Sequence, residues 1–150
     1  MCSSDLGPGE PDYVESIRAD VGRRGLESRA SFTGRLAGRD KWAAMAASDL
    51  FVLPSYQENF ALAAVDAIRS GLPVLLSRRV NLWRDVVEAG AGRDCEPTVE
   101  SVAEQLNECL ADAPWRSAAV AAGARILDSR FNWARTAARL EEIYAESLSP

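Results

Sequence analysis

Three observations on the amino-acid sequence predict an α/β fold, a Rossmann-like parallel sheet flanked by helices. Short apolar runs alternate with stretches of helical periodicity along the chain. Residues 50–76 spell one complete strand–loop–helix–strand unit, which implies a right-handed parallel crossover. No internal repeat or low-complexity tract interrupts the alternation. Within the unit, Leu50-Phe51-Val52-Leu53 is a buried strand and Pro54 ends it, because proline cannot continue a ladder. Asn59 is a good helix N-cap, and Phe60, Ala63, Ala64, Ala67 and Ile68 then recur at helical spacing. Gly71 closes the helix, Pro73 prevents its resumption, and Val74-Leu75-Leu76 is the next strand.

The remaining elements follow in order. Met1 to Leu6 fits nothing after it and is expected to be a non-native or disordered leader. Gly7-Pro8-Gly9-Glu10-Pro11 is a turn, and Tyr13 to about Arg24 an amphipathic helix with Tyr13, Val14, Ile17 and Val21 on one side. Ala30-Ser31-Phe32-Thr33 is expected as a short strand, with Gly34 letting the chain turn after it. Arg39 to Ala47 is a helix offering Trp42, Ala43, Met45 and Ala46 to the core. Arg78-Arg79 sits beyond a strand end, where open parallel sheets bind ligands. Leu82 to Glu88 is a short helix, and Gly90-Ala91-Gly92 turns into a weak strand near Arg93-Asp94-Cys95. Thr98 opens a helix with the stripe Val99, Val102, Leu106 and Leu110. Trp115 to Leu127 is helical but for Gly123, and Ala134 to Leu148 is the last helix, with Leu140, Ile143 and Tyr144 as candidate contacts.

Composition excludes several classes. A chain of 150 residues with 47% hydrophobic and 26% charged residues suits one soluble globular domain. A net charge of −5 argues against nucleic acid as a partner. No apolar run reaches the ~20 residues of a membrane span, so no transmembrane segment is expected. Cys2, Cys95 and Cys109 lack metal-ligand spacing, and their odd number without a visible export signal points to a reduced, cytoplasmic setting, with peripheral membrane association left open. The absence of histidine rules out a His-based triad or general base within the chain.

Two acids punctuate the central unit. Glu58 is expected at the mouth of the helix and Asp66 about two turns inside it. At ~1.5 Å rise per residue they would stand roughly 12 Å apart along the axis, the span from sugar to ribose of a nucleotide-diphosphate sugar. Between them a helix N-terminus offers unpaired N–H groups and a positive dipole end.

The words around these acids carry a resemblance. Leu50-Phe51-Val52-Leu53-Pro54-Ser55, Glu58-Asn59-Phe60 and Ala67-Ile68-Arg69-Ser70-Gly71-Leu72-Pro73-Val74 resemble the donor-binding signature of retaining glycosyltransferases of the GT-B architecture, family four. The similarity runs from about Gly7 to about Leu148. Phe131-Asn132-Trp133 also matches an aromatic anchor before that family's last helix. Two positions depart from the pattern: Asp66 stands where the family usually has Glu, and Ala61 where it usually has Gly.

The resemblance implies that residues 7–150 are a partial C-terminal nucleotide-sugar-binding domain, the C-terminal half of a GT-B architecture lacking its first two strands. It implies an absent strand–helix unit, whose Arg and Lys hold the donor diphosphate, and an absent N-terminal acceptor domain. The parent enzyme would be a hexosyl- or pentosyltransferase, retaining and metal-independent. It would need no cofactor beyond its donor substrate, and its acceptor could be a glycan, lipid or small molecule. Glu58 would be catalytic and contact the donor sugar. Backbone N–H groups of Asn59, Phe60, Ala61 and Leu62 would meet sugar or phosphate, Asp66 the ribose hydroxyls, and the loop at Arg35 and Leu36 the nucleobase. The chain alone is expected to be inactive. Two alternatives stay open: a non-catalytic nucleotide or nucleotide-sugar binding module, and a signalling domain of flavodoxin-like shape.

Overall fold

The structure, a computed structural model, describes residues 11–148. The expected leader at 1–6 and the turn residues 7–10 lie outside that range. The described residues fall into two compact units, one ending at Ser48 and the other beginning at Asp49.

The first unit holds helices α1 (Pro11–Arg23) and α2 (Gly38–Ala46). Gly25, at φ +62°, ends α1 by letting the Leu26 N–H turn back to the Val21 carbonyl at 3.0 Å. The strand expected at Ala30–Thr33 is absent: 30–37 is irregular. A strand needs a neighbour for its N–H and C=O groups. Here the Ala30 N–H is instead spent on Leu26 O at 2.9 Å, and Phe32 lies exposed beneath the Arg18 guanidinium, 4.5 Å from its ring centre. Trp42 does not enter a core either. It is 39% exposed and stacks with the Lys41 ammonium at 4.3 Å.

The second unit is the α/β body. Its strands β1 (Phe51–Leu53), β2 (Val74–Ser77) and β3 (Gly92–Cys95) form a parallel sheet in the order β1-β2-β3. Phe51, Val52 and Leu53 pair with Val74, Leu75 and Leu76, and Val74 to Ser77 pair with Gly92 to Cys95. Helices α3 (Leu62–Arg69), α4 (Trp83–Glu88), α5 (Val99–Ala111), α6 (Ala113–Arg130) and α7 (Trp133–Leu148) complete it.

Strand alternation divides the core. Leu75 and Cys95 face Cys109 of α5, with Val52, Val102, Leu106 and Trp115 packed around them. Val74 and Gly92, one residue out of phase, face Val86 of α4. The stripe expected on α5 is therefore rotated. Val99 and Leu110 are 81% and 49% exposed, and Cys109 takes the buried position. Thr98 caps α5 as expected, its hydroxyl accepting the Ser101 N–H at 3.3 Å. Gly123 does not break α6. It is the point where that helix meets Ile68 of α3, and a Cβ there would lie 2.8 Å from Ile68 Cγ2. Leu140, Ile143 and Tyr144 of α7, expected as contacts, are 47%, 44% and 64% exposed, so none of them is a core residue.

Burial pushes the Cys95 thiol up to about 11 and also raises Cys109, although Arg93 pulls Cys109 back down. Iodoacetamide at pH 8 is expected to leave Cys95 and Cys109 unmodified in the native protein and to alkylate both in urea, as read by mass spectrometry. The folded chain keeps the Cys95 proton above the ordinary thiol value of 9.0. The unfolded chain therefore loses that proton first, and stability should fall as pH rises from about 9 to about 11. Rapid native-state alkylation would show that the α5 face opens.

Candidate functional site

Parallel strands put their carboxyl ends on one edge, and the loops leaving β1 and β2 meet there. Pro54 ends β1. At the end of β2, Ser77 is fully buried, and its Oγ donates to the Ser55 carbonyl at 2.5 Å while accepting the Arg79 N–H at 3.2 Å. The chain then turns tightly, with Val80 N–H on Ser77 O at 3.0 Å and the Val80 side chain fully buried. Glu58 forms a parallel bridge with Val80, and its carbonyl accepts the Asn81 N–H at 3.3 Å. Glu58 is thus held by its main chain, while its half-buried carboxylate makes no hydrogen bond or ion pair among the described residues.

Asn59 does not cap the helix. The N-cap is Ala61, in the left-handed conformation at φ 54° and ψ 55°, with no side-chain cap bond. Its carbonyl accepts the Ala64 and Val65 N–H groups, at 2.8 and 3.3 Å. Ala61 is the one non-glycine residue at positive φ among those described, so an alanine holds a conformation that glycine adopts without strain. The N–H groups of Asn59, Phe60, Ala61, Leu62 and Ala63 find no acceptor among the described residues. Because α3 begins at Leu62, Glu58 lies upstream of the helix and the axial estimate of its distance from Asp66 does not apply.

Asp66 is half-buried on α3, on the stripe shared with the exposed Leu62 and with Ser70. Its carbonyl takes Ser70 N–H and Oγ–H at 3.0 and 2.9 Å, tightening the last turn. Phe60, expected on the helix's apolar face, precedes the helix and meets Phe131 edge-on at 5.9 Å. Phe131 thus serves as an anchor, whereas Trp133 is 86% exposed.

The paired arginines divide. The Arg78 Nε donates to Asp94 at 2.5 Å and its Nη1 to Glu96 at 3.2 Å, so that side chain ties β2 to the end of β3. The hydrogen bond to Asp94, with its charge, raises the Arg78 pKa above the ordinary value. Arg79 is exposed and has no ion-pair partner among the described residues. Arg35 and Leu36 belong to the other unit, Arg35 exposed and Leu36 half-buried in its irregular stretch. A shallow depression of about 450 Å³ at Arg93, Glu108 and Asp112 is lined by charges already paired with one another, at 3.5 and 2.9 Å.

The sequence reading missed Ser77, Val80 and Asn81. One signal was available: a hydroxyl residue ending an apolar run is out of place unless its oxygen is used.

Comparison with known proteins gives a consistent result. The pattern of the family described as Glycosyl transferases group 1 matches residues 8–125. A D-inositol 3-phosphate glycosyltransferase of Thermobispora bispora is 40% identical over 108 residues, covering 68% of this chain and 24% of the relative. Its counterpart in Salinispora arenicola is 31% identical over 154 residues, covering 99% of this chain and 33% of the relative. The chain thus spans a third or less of the length of these relatives. Among solved structures, Anabaena HepE in complex with UDP superimposes with a TM-score of 0.81 at 27% identity, over 92% of this chain and 38% of that one. Sucrose-phosphate synthase from Thermosynechococcus elongatus gives 0.79 at 25% identity, over 97% and 36%.

Proposed function

The chain belongs to the glycosyl transferases group 1 family, and from that premise we propose that it is the donor-binding portion of an enzyme moving a sugar from a nucleotide-diphosphate sugar to an acceptor. The observation that carries this reading is the stretch from Glu58 to Ala63. Five successive N–H groups without an internal acceptor lead into the N-terminus of α3, with a carboxylate on either side. Such a terminus suits a diphosphate. Glu58 contacts the donor sugar hydroxyls, the main chain of Asn59, Phe60, Ala61 and Leu62 meets sugar or phosphate, and Asp66 accepts from the ribose hydroxyls. The UDP and UDP-glucose complexes of HepE support a uridine donor as the first probe.

Transfer proceeds with retention at the anomeric carbon and without a metal, the helix terminus and cations stabilising the leaving diphosphate. The transferred group is a hexose or pentose. The acceptor is a glycan, lipid or small molecule held by a part of the enzyme outside residues 7–150. The setting is cytoplasmic, where buried thiols such as Cys95 and Cys109 stay reduced. Among the described residues no helix is long and apolar enough to cross a membrane.

Asp66 supplies the test. In the full-length enzyme, Asp66→Ala should weaken UDP binding by roughly 1.5–3 kcal/mol, the scale of a hydrogen bond to a charged group. For 2′-deoxy-UDP the loss should be smaller. Calorimetry showing unchanged affinity for both nucleotides would remove Asp66 from the site, and saturable binding without turnover would favour a binding module.

A further inference from the structure

We infer that Ser77 is a positioning residue for Glu58, a buried hydroxyl that sets where the Glu58 carboxylate stands toward the donor; the inference rests on the donor-site reading above. Ser77 is the one fully buried polar side chain among the described residues. Its position at the end of Val74-Leu75-Leu76 calls for packing alone, which an alanine would nearly satisfy. The hydroxyl adds two main-chain hydrogen bonds in opposite senses. It donates to the carbonyl of Ser55, three residues before Glu58, and accepts from the N–H of Arg79, the residue before Glu58's bridge partner Val80.

The two loops therefore run side by side between two ties. Ser77 Oγ to Ser55 O closes one end, and Asn81 N–H to Glu58 O, at 3.3 Å, closes the other. Little else holds the Glu58 loop. Pro54, Tyr56, Gln57 and Asn59 are exposed, Tyr56 to 80%, so the loop puts no apolar side chain into the core before Ala61. The next aromatic contact, Phe60 on Phe131, lies downstream of Glu58. Without the hydroxyl, the Ser55 carbonyl and the Arg79 N–H lose their partner, and the upstream end of the loop comes free. Asp66 stands on α3, away in sequence from the residues that form the two ties. The effect should therefore fall on the sugar end of the donor and spare the nucleotide end.

A double-mutant cycle on the full-length enzyme tests this, with transfer from UDP-glucose and binding of UMP as the two readouts. Ser77→Ala should lower kcat/KM for transfer about tenfold, the lower end of what two lost hydrogen bonds cost, and leave UMP affinity unchanged. In the Glu58→Gln background, Ser77→Ala should cost nothing further, because the group it positions is gone. The same tenfold loss in both backgrounds, a parallel loss of UMP affinity, or no loss at all would overturn the clamp. Should Ser77→Ala fail to fold, Ser77→Cys keeps the volume, weakens both bonds and carries the same cycle. If Glu58→Gln itself leaves transfer intact, the donor-site reading falls and the clamp falls with it. A failed cycle beside a damaging Glu58→Gln removes the clamp alone.

Discussion

Glu58→Gln in the full-length enzyme is expected to cut sugar transfer by about two orders of magnitude, the loss typical when a placed polar group no longer meets the charge that develops in the transition state. The fold should not notice. Glu58 is tied in through its main chain, by the bridge to Val80 and the Asn81 N–H, and both bonds survive the change. The carboxylate has no hydrogen bond or ion pair among the described residues, so an amide of the same shape leaves no partner stranded. The loss should appear in kcat as well as kcat/KM, since the interaction belongs to the reacting sugar. Steady-state transfer from UDP-glucose, read beside the thermal midpoint, makes the comparison. Equal turnover at equal stability would sink the assignment of Glu58.

The unit from Leu50 to Leu76 was legible because its limits are written in residues that permit little else. Pro54 cannot continue β1, Gly71 takes φ +79° after α3, and β2 opens with the apolar run Val74-Leu75-Leu76. The start of α3 was not legible. Asn59 is the better N-cap by propensity, but the Glu58–Val80 bridge keeps the chain extended at Glu58 and delays the helix to Leu62. The helix opens instead behind Ala61, in a conformation no propensity scale assigns to alanine. Periodicity also placed Phe60 on the helix, whereas its partner Phe131 is remote in sequence. On α5, a stripe counted from Val99 ignored Cys109, which fills the space beside Leu75 and Cys95. The acids were found as residue types in a pattern. Their support, Ser77 and the turn to Asn81, depends on which loops the sheet register brings together, and local sequence does not encode that.

Gly92→Ala is expected to destabilise the α/β unit by about 3 kcal/mol or more, at or beyond the upper end for added volume in a packed core. The sequence marks Gly92 only as part of a turn, but it is the first residue of β3, buried and paired with Val74. A Cβ there would stand 2.5 Å from the Val74 carbonyl oxygen and 2.8 Å from both Val74 Cγ2 and Val86 Cγ1. None of the three can give way cheaply. The oxygen belongs to the central strand of the sheet, and valine side chains are stiff at χ1. The methyl would push β3 from β2 or α4 from the sheet, and a domain stable by only about 5–15 kcal/mol has little reserve for either. Gly71→Ala is the control for conformation without crowding. That glycine sits at φ +79° with Val120 Cγ1, its nearest neighbour, 3.9 Å away, so the expected cost is about 1–2 kcal/mol from backbone strain. Thermal unfolding followed by circular dichroism should rank Gly92→Ala well below Gly71→Ala, with a midpoint lower than the wild type by roughly 10 °C. If the order is reversed, the destabilisation comes from backbone conformation, and the contact between β3, Val74 and Val86 is looser than these distances require.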